Sequence, residues 1–154
     1  MEELARNVDW VSQDPAVAAA VRRIVQGDEA PDRYLSSDAF VPGTTGGGRP
    51  AYAESAPRSA HSRASSVVGA LARLGGDAID AVAAAMPAAS RVYAAGGWAR
   101  SPGWMEAKRT LTGRDIEIMR EPEITAVGAA LLAATALDWP ISARTALSGE
   151  PARA

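Results

Sequence analysis

Cysteine is absent from this 154-residue sequence, and histidine and phenylalanine each occur once. The lack of thiols excludes disulfide frameworks, thiolate nucleophiles and cysteine-ligated metal, and a reducing cytoplasm is the compartment expected for such a chain. With His61 as the single histidine, a Ser-His-Asp triad has only one residue to draw on and a multi-histidine metal site cannot be built. An excess of either charge is also missing: sixteen Lys and Arg stand against eighteen Asp and Glu, a net charge of -2. Such a surface has no field that would gather nucleic acid or anionic lipid. Long hydrophobic runs do not occur either. The longest, 126–137, is shorter than the ~20 residues that span a bilayer and reads as a buried helix. The opening Met1-Glu-Glu-Leu-Ala-Arg6 has neither the basic nor the apolar region of a secretory signal.

What is present is ordinary for a soluble globular protein, with 47% hydrophobic and 22% charged residues. The length fits one domain that can bury a core. That domain is expected over residues 1–139, with 140–154, rich in Ala, Ser, Pro, Gly and Glu, as a loosely held tail.

Apolar positions Val17, Val21, Ile24 and Val25 recur at helical spacing, with Asp14 placed to cap the start of a helix and Gly27 to stop it. Ala39-Phe40-Val41 suits a brief strand. Pro42 to Pro50 then carries too many glycines and prolines for regular structure, and the loop is expected to run to about Ser59. From Ser62 to Met86 one helical face holds Val67, Val68, Leu71, Leu74, Ile79 and Val82, and Gly75-Gly76 predicts a break with Asp77 capping a restart. Arg91–Ala95 reads as a buried strand, Pro102–Leu111 as a helix with Ser101 at its N-cap, Asp115–Met119 as a strand, and Glu123–Leu137 as a helix. Strand, helix, strand, helix at the C-terminal end predicts an α/β layered domain.

Three segments bear on function. Gly96-Gly97-Trp98 leads from a strand towards a capped helix, a junction whose backbone amides and dipole suit phosphate; a tight turn needing positive φ would use the same glycines. Around Gly128 small residues cluster near a helix start, where they admit either a flat ring or a closely packed neighbouring element. The loop Phe40–Tyr52 carries Thr44, Thr45 and Arg49 among glycines, suited to a polyol or a phosphate or simply to a mobile surface; no Gly-Lys-Ser/Thr follows, so it is not a P-loop.

In this order and spacing the segments resemble the C-terminal domain of FGGY carbohydrate kinases, the family of glycerol, xylulose and fuculose kinases. The match runs from Leu4 to Trp139. It rests on the aromatic-ended Val8-Asp9-Trp10, the loop Phe40-Val-Pro42 to Pro50, Arg63-Ala64, Gly96-Gly97, and Thr125-Ala-Val-Gly-Ala-Ala130. The resemblance implies a ribonuclease H-like fold, shared with actin, in which two domains clamp ATP, Mg2+ and substrate. It places Gly96, Gly97, Trp98, Ser101 and Gly128 at the nucleotide, and Thr44, Thr45 and Arg49 in a substrate or phosphate loop.

The same resemblance marks what is not here. Members have an N-terminal domain with a phosphate loop and the aspartate that acts as base, and a Gly-Thr phosphate loop at the start of the C-terminal domain. No catalytic residue or metal ligand is therefore assigned to this chain. Its expected partners are ATP or ADP, a sugar or polyol, and the missing kinase domain or a second copy. Lys108 and Thr110 stand where many members have Gln and Asp, and no acid follows Arg63-Ala64. A non-catalytic remnant that keeps the fold is the alternative, and an actin- or heat-shock-type ATPase shares the fold but not the Val-Pro glycine loop. Asp9 falls near the nucleotide by resemblance, or is an exposed helix carboxylate; His61 suits phosphate or a helix cap. Trp10, Trp104 and Trp139 fit core packing, while Trp98 flanks the glycine turn.

Overall fold

A computed structural model describes residues 2–44, 47–85, 91–119 and 124–139. Thr45, Met86, Glu123 and the tail from Pro140 fall outside them. The elements run α1 (Glu2–Val11), α2 (Pro15–Gln26), β1 (Phe40–Val41), β2 (Ala51–Tyr52), α3 (Ala60–Ala85), β3 (Val92–Ala94), α4 (Pro102–Thr112), β4 (Ile116–Ile118) and α5 (Ile124–Ala136). Short 3-10 turns lie at Arg33–Ser36 and Gly97–Arg100. Mixed helix and strand content matches the α/β expectation, with the strands in two separate pairs: β1–β2 antiparallel and β3–β4 parallel.

Local chemistry sets the boundaries of α2 as the sequence predicts. Asp14 Oδ1 accepts from the amides of Ala16 and Val17 at 3.1 and 3.3 Å, and Gly27 ends the helix in the left-handed region at φ 84°. Gly113 ends α4 in the same way at φ 63°.

The core is built on the first half of α3, where Ala64 to Ala72 are all buried. α2 and α4 flank it through Val17, Ile24, Trp104 and Met105, with Phe40 and Ile116 closing the cluster. Burial on every side requires close backbone approach. At Gly69 the carbonyl of Leu35 occupies the space of a Cβ, and at Gly103 the carbonyl of Ile24 does the same. The two buried serines on α3 have partners: Ser65 Oγ accepts from the Asp32 amide at 3.0 Å, and Ser66 Oγ donates to the Arg63 carbonyl at 2.7 Å.

Four expectations are corrected. α3 is one continuous helix, because Gly75 and Gly76 face α4 and give room to Lys108 and Thr112 rather than breaking the chain; a Cβ at Gly76 would lie 2.8 Å from Thr112 Cγ2. β3 is not buried: Tyr93 is 49% exposed, and the face it shares with Glu117 is solvated and carries an Arg91–Glu117 ion pair. The loop after Pro42 does not run to Ser59, since Ala51–Tyr52 returns to pair with Phe40–Val41. Trp139, expected in the core, is 60% exposed, whereas Trp10 packs on Phe40 and Tyr52 and Trp104 is buried.

α5 is apolar around its whole circumference, yet only Ala134 among its described residues is buried, and Leu132 is 76% exposed. A helix apolar on all sides is ordinarily a buried one. No helix among the described residues is long and apolar enough to cross a membrane.

Two measurements check this packing. Gly69→Ala forces a methyl into the Leu35 carbonyl and is expected to cost about 2 kcal/mol, within the range of overpacked sites, read as a lower urea midpoint at unchanged slope. Burial pushes the Tyr52 phenol up to about 12, so the folded state retains a proton that the unfolded chain releases. The stability this gives is intact below pH ~10 and lost as pH climbs towards the folded value. Tyr52→Phe should flatten the alkaline limb of a pH–stability curve, and an unchanged limb would refute the assignment.

Candidate functional site

The chain leaves β3 at Ala94, turns at Gly96 and enters the 3-10 turn Gly97–Arg100 before α4 begins at Pro102. Gly96 sits at φ 85° and ψ -177°, a conformation that essentially only glycine adopts without strain. The turn is held by the Ala99 amide on the Gly96 carbonyl at 3.2 Å and the Ser101 amide on the Trp98 carbonyl at 3.1 Å. A Cβ at either Gly96 or Gly97 would meet nothing within 4 Å. The glycines are therefore open to solvent rather than walled into the interior. Ser101 is the N-cap of α4, as expected, but its hydroxyl makes no capping bond. Between the glycines and α4 the chain makes the single 3-10 turn Gly97–Arg100.

Trp98 is 40% exposed and meets Trp104 edge-on, with ring centroids 5.6 Å apart. Both rings line an apolar cleft of about 260 Å³, together with Val8 and Val11 of α1, Ser12 just after it, Val21 of α2 and Leu71 of α3. The cleft thus begins where the glycine turn ends. Lys108, one turn beyond Trp104, lies 5.3 Å from the centre of that ring, and burial lowers its pKa.

β3 and β4 are parallel, so the Gly96–Gly97 turn follows the carboxyl end of β3, at the same end of the pair as the carboxyl end of β4. Ligands of open parallel α/β sheets bind beyond the carboxyl ends of the strands. Gly128 lies one turn into α5, exposed, and a Cβ there would meet nothing within 4 Å. Neither a close-packed element nor any other described group occupies that position.

The loop between β1 and β2 is tied down. Asn7 Nδ2 donates to the Gly43 carbonyl at 3.0 Å, and the Gly43 amide donates to Asn7 Oδ1 at 2.8 Å. Thr44 and Arg49 are exposed on this loop. The structure brings together Gly96, Gly97, Trp98 and Ser101, whereas Thr44 and Arg49 belong to a separate loop joined to them through α1. Asp9 is exposed on α1 and does not line the cleft. His61 stands 3.2 Å from Glu29, in a cluster that fastens the connector after α2 to the start of α3. Sequence reasoning missed Asn7 because a lone buried asparagine has no spacing signature. It also missed the apolar cleft, whose walls come from α1, α2, α3 and α4.

Residues 16–137 match the C-terminal domain of the FGGY family of carbohydrate kinases. The chain belongs to that family. The match includes the hairpin loop, the glycine turn and Gly128, and it leaves α1 outside. No curated protein and no solved structure matches the chain. As an FGGY domain it carries the helix and strand content described above. Among its described residues, no group of three or more His, Asp or Glu is arranged to hold a metal ion.

Proposed function

We propose that this FGGY domain is the ATP-side half of a carbohydrate kinase, which transfers the γ-phosphoryl group of ATP to a sugar or polyol hydroxyl. The observation that carries the reading is the exposed Gly96–Gly97 turn opening beside the apolar cleft rimmed by Trp98. Phosphates approach closest where side chains are missing, and a flat base is held best between apolar walls with an aromatic edge. On this reading the phosphates lie along Gly96 and Gly97, the base enters the cleft past Trp98, and the uncapped Ser101 hydroxyl is available to the nucleotide. The ribonuclease H-like fold belongs to the same proposal, as does a nucleotide contact at the exposed Gly128. Thr44 and Arg49, with Thr45 beyond the described residues, form the substrate or phosphate loop.

The residues around the turn do not supply a carboxylate cluster for Mg2+, so no step is assigned to the metal on this chain; a magnesium ion would be carried by the nucleotide phosphates and a companion domain. Phosphoryl transfer depends on positioning and on charge neutralisation around one point. One wall of a cleft supplies part of that. Leu132, Leu137 and Trp139 of the C-terminal helix region are exposed apolar groups of the kind that a companion kinase domain or a second copy would cover, and so are Tyr93 and Ile118 of the strand pair.

Calorimetric titration of ADP into the 154-residue chain tests the nucleotide site. Gly97→Val places a branched side chain over the phosphate path without touching the protein core, and it should weaken binding by at least tenfold while leaving the unfolding midpoint nearly unchanged. Equal affinity in both proteins would sink the assignment. The same chain, mixed with ATP, Mg2+ and a panel of sugars and polyols, should release no sugar-dependent ADP, because a missing base alone costs roughly 10²–10⁴-fold. Turnover by the purified chain would refute that half of the reading.

A further inference from the structure

We infer that α1 is a rigid link between the apolar cleft and the β1–β2 loop, with Asn7 as the positioning residue that fastens the loop to the helix. The inference rests on the nucleotide reading of the cleft, and Asn7 with the rest of α1 lies outside the family match.

At 3.6 residues per turn, α1 presents two groups of side chains on adjoining faces, with Asn7 and Val11 one turn apart where the faces meet. Val8 and Val11, with Ser12 just beyond the helix, line the cleft beside Trp98. Asn7 and Trp10 turn to the hairpin. Trp10 packs on Phe40 and Tyr52 with ring centroids at 5.7 and 5.3 Å, which holds the stem formed by β1 and β2. Asn7 is fully buried and uses both ends of its amide on the backbone of Gly43, while Arg6 Nη1 donates to the Thr44 carbonyl at 2.9 Å.

An asparagine amide is suited to this task because it offers a donor and an acceptor side by side, as a backbone strand would. Aspartate retains only the acceptor, and leucine retains the shape with neither. Gly43 cannot yield to compensate. A Cβ there would lie 2.7 Å from Pro50 Cδ and 3.0 Å from the Gly48 carbonyl oxygen, so the two limbs of the loop already touch. Within the loop the Thr44 amide bonds to the Gly48 carbonyl at 3.1 Å and the Gly47 amide to the Thr44 carbonyl at 3.2 Å. The loop is a small closed unit, and its buried side-chain tether runs to the helix that lines the cleft.

A ligand that fixes Val8 and Val11 therefore fixes Asn7, and through it the backbone of Gly43. Occupancy of the cleft is transmitted to the loop that carries Thr44 and Arg49. Coupling between sites of this kind spans roughly 5- to 150-fold.

Amide hydrogen exchange on the full chain, followed by NMR at Gly43, Thr44 and Gly47 with and without saturating ADP, tests the inference. In the unmodified protein ADP should slow exchange at these three amides by roughly tenfold, inside that range. Asn7→Leu and Asn7→Asp should still bind ADP, since neither alters a cleft residue, but the ADP-dependent slowing should vanish in the first and shrink in the second. Exchange at Val67 and Val68 in α3 reports whether each variant keeps its core, and Asn7→Asp serves if Asn7→Leu does not fold. A merely structural asparagine would speed loop exchange equally with and without ADP and leave the ADP-induced ratio intact, and that result overturns the inference. Binding of ADP by the unmodified chain with no change at the loop amides overturns it as well, while leaving the nucleotide site standing. Failure of ADP to bind at all removes the nucleotide reading and this inference together.

Discussion

The architecture depends on one constraint: the backbone must pass within contact distance of the first half of α3. Nine consecutive residues of a helix, Ala64 to Ala72, are buried, and this is possible only if neighbouring chain segments come closer than side chains normally allow. Gly69 admits the Leu35 carbonyl, and Gly103 admits the end of α2 onto the first turn of α4. Alanine and serine fill much of the remaining helix surface. Such packing gains dispersion contacts at near-crystalline density, and it sets where α4 starts, hence where the glycine turn before it opens. The candidate site is placed by core geometry rather than by its own contacts.

Much of this was legible in the sequence where a residue has a local job. Asp14 and Gly27 mark α2 because a cap and a left-handed stop are local chemistry. Gly96 declared itself in the same way. Gly75 and Gly76 misled because glycine has two uses, bending a chain and admitting a neighbour, and one-dimensional reading cannot distinguish them; here Lys108 and Thr112 of α4 sit against them. The strand at Val92–Ala94 was placed correctly, but its burial was not, since burial depends on what lies on either side of the sheet and only β4 pairs with it among the described residues. The order and spacing of several weak motifs identified the family where no one motif would have, and the domain match over 16–137 agrees.

Asn7 and the cleft were illegible for a different reason. Their meaning arises from tertiary geometry: an amide becomes a tether only when a loop carbonyl and amide arrive 3.0 and 2.8 Å away. Likewise α5 reads from sequence as an interior helix, and its composition is indeed that of one. The described residues nevertheless leave most of it uncovered, because burial is set by what packs against a helix and not by its own composition.

The indole pair of Trp98 and Trp104 has one more consequence. Two rings set edge-on at 5.6 Å are close enough for their electronic transitions to mix, and both line the cleft, Trp104 buried and Trp98 partly exposed. The protein thereby carries its own chromophore in the wall of its candidate site. A guest that tilts the outer indole would alter the near-ultraviolet circular dichroism of the pair, so events in the cleft can be followed optically without a label.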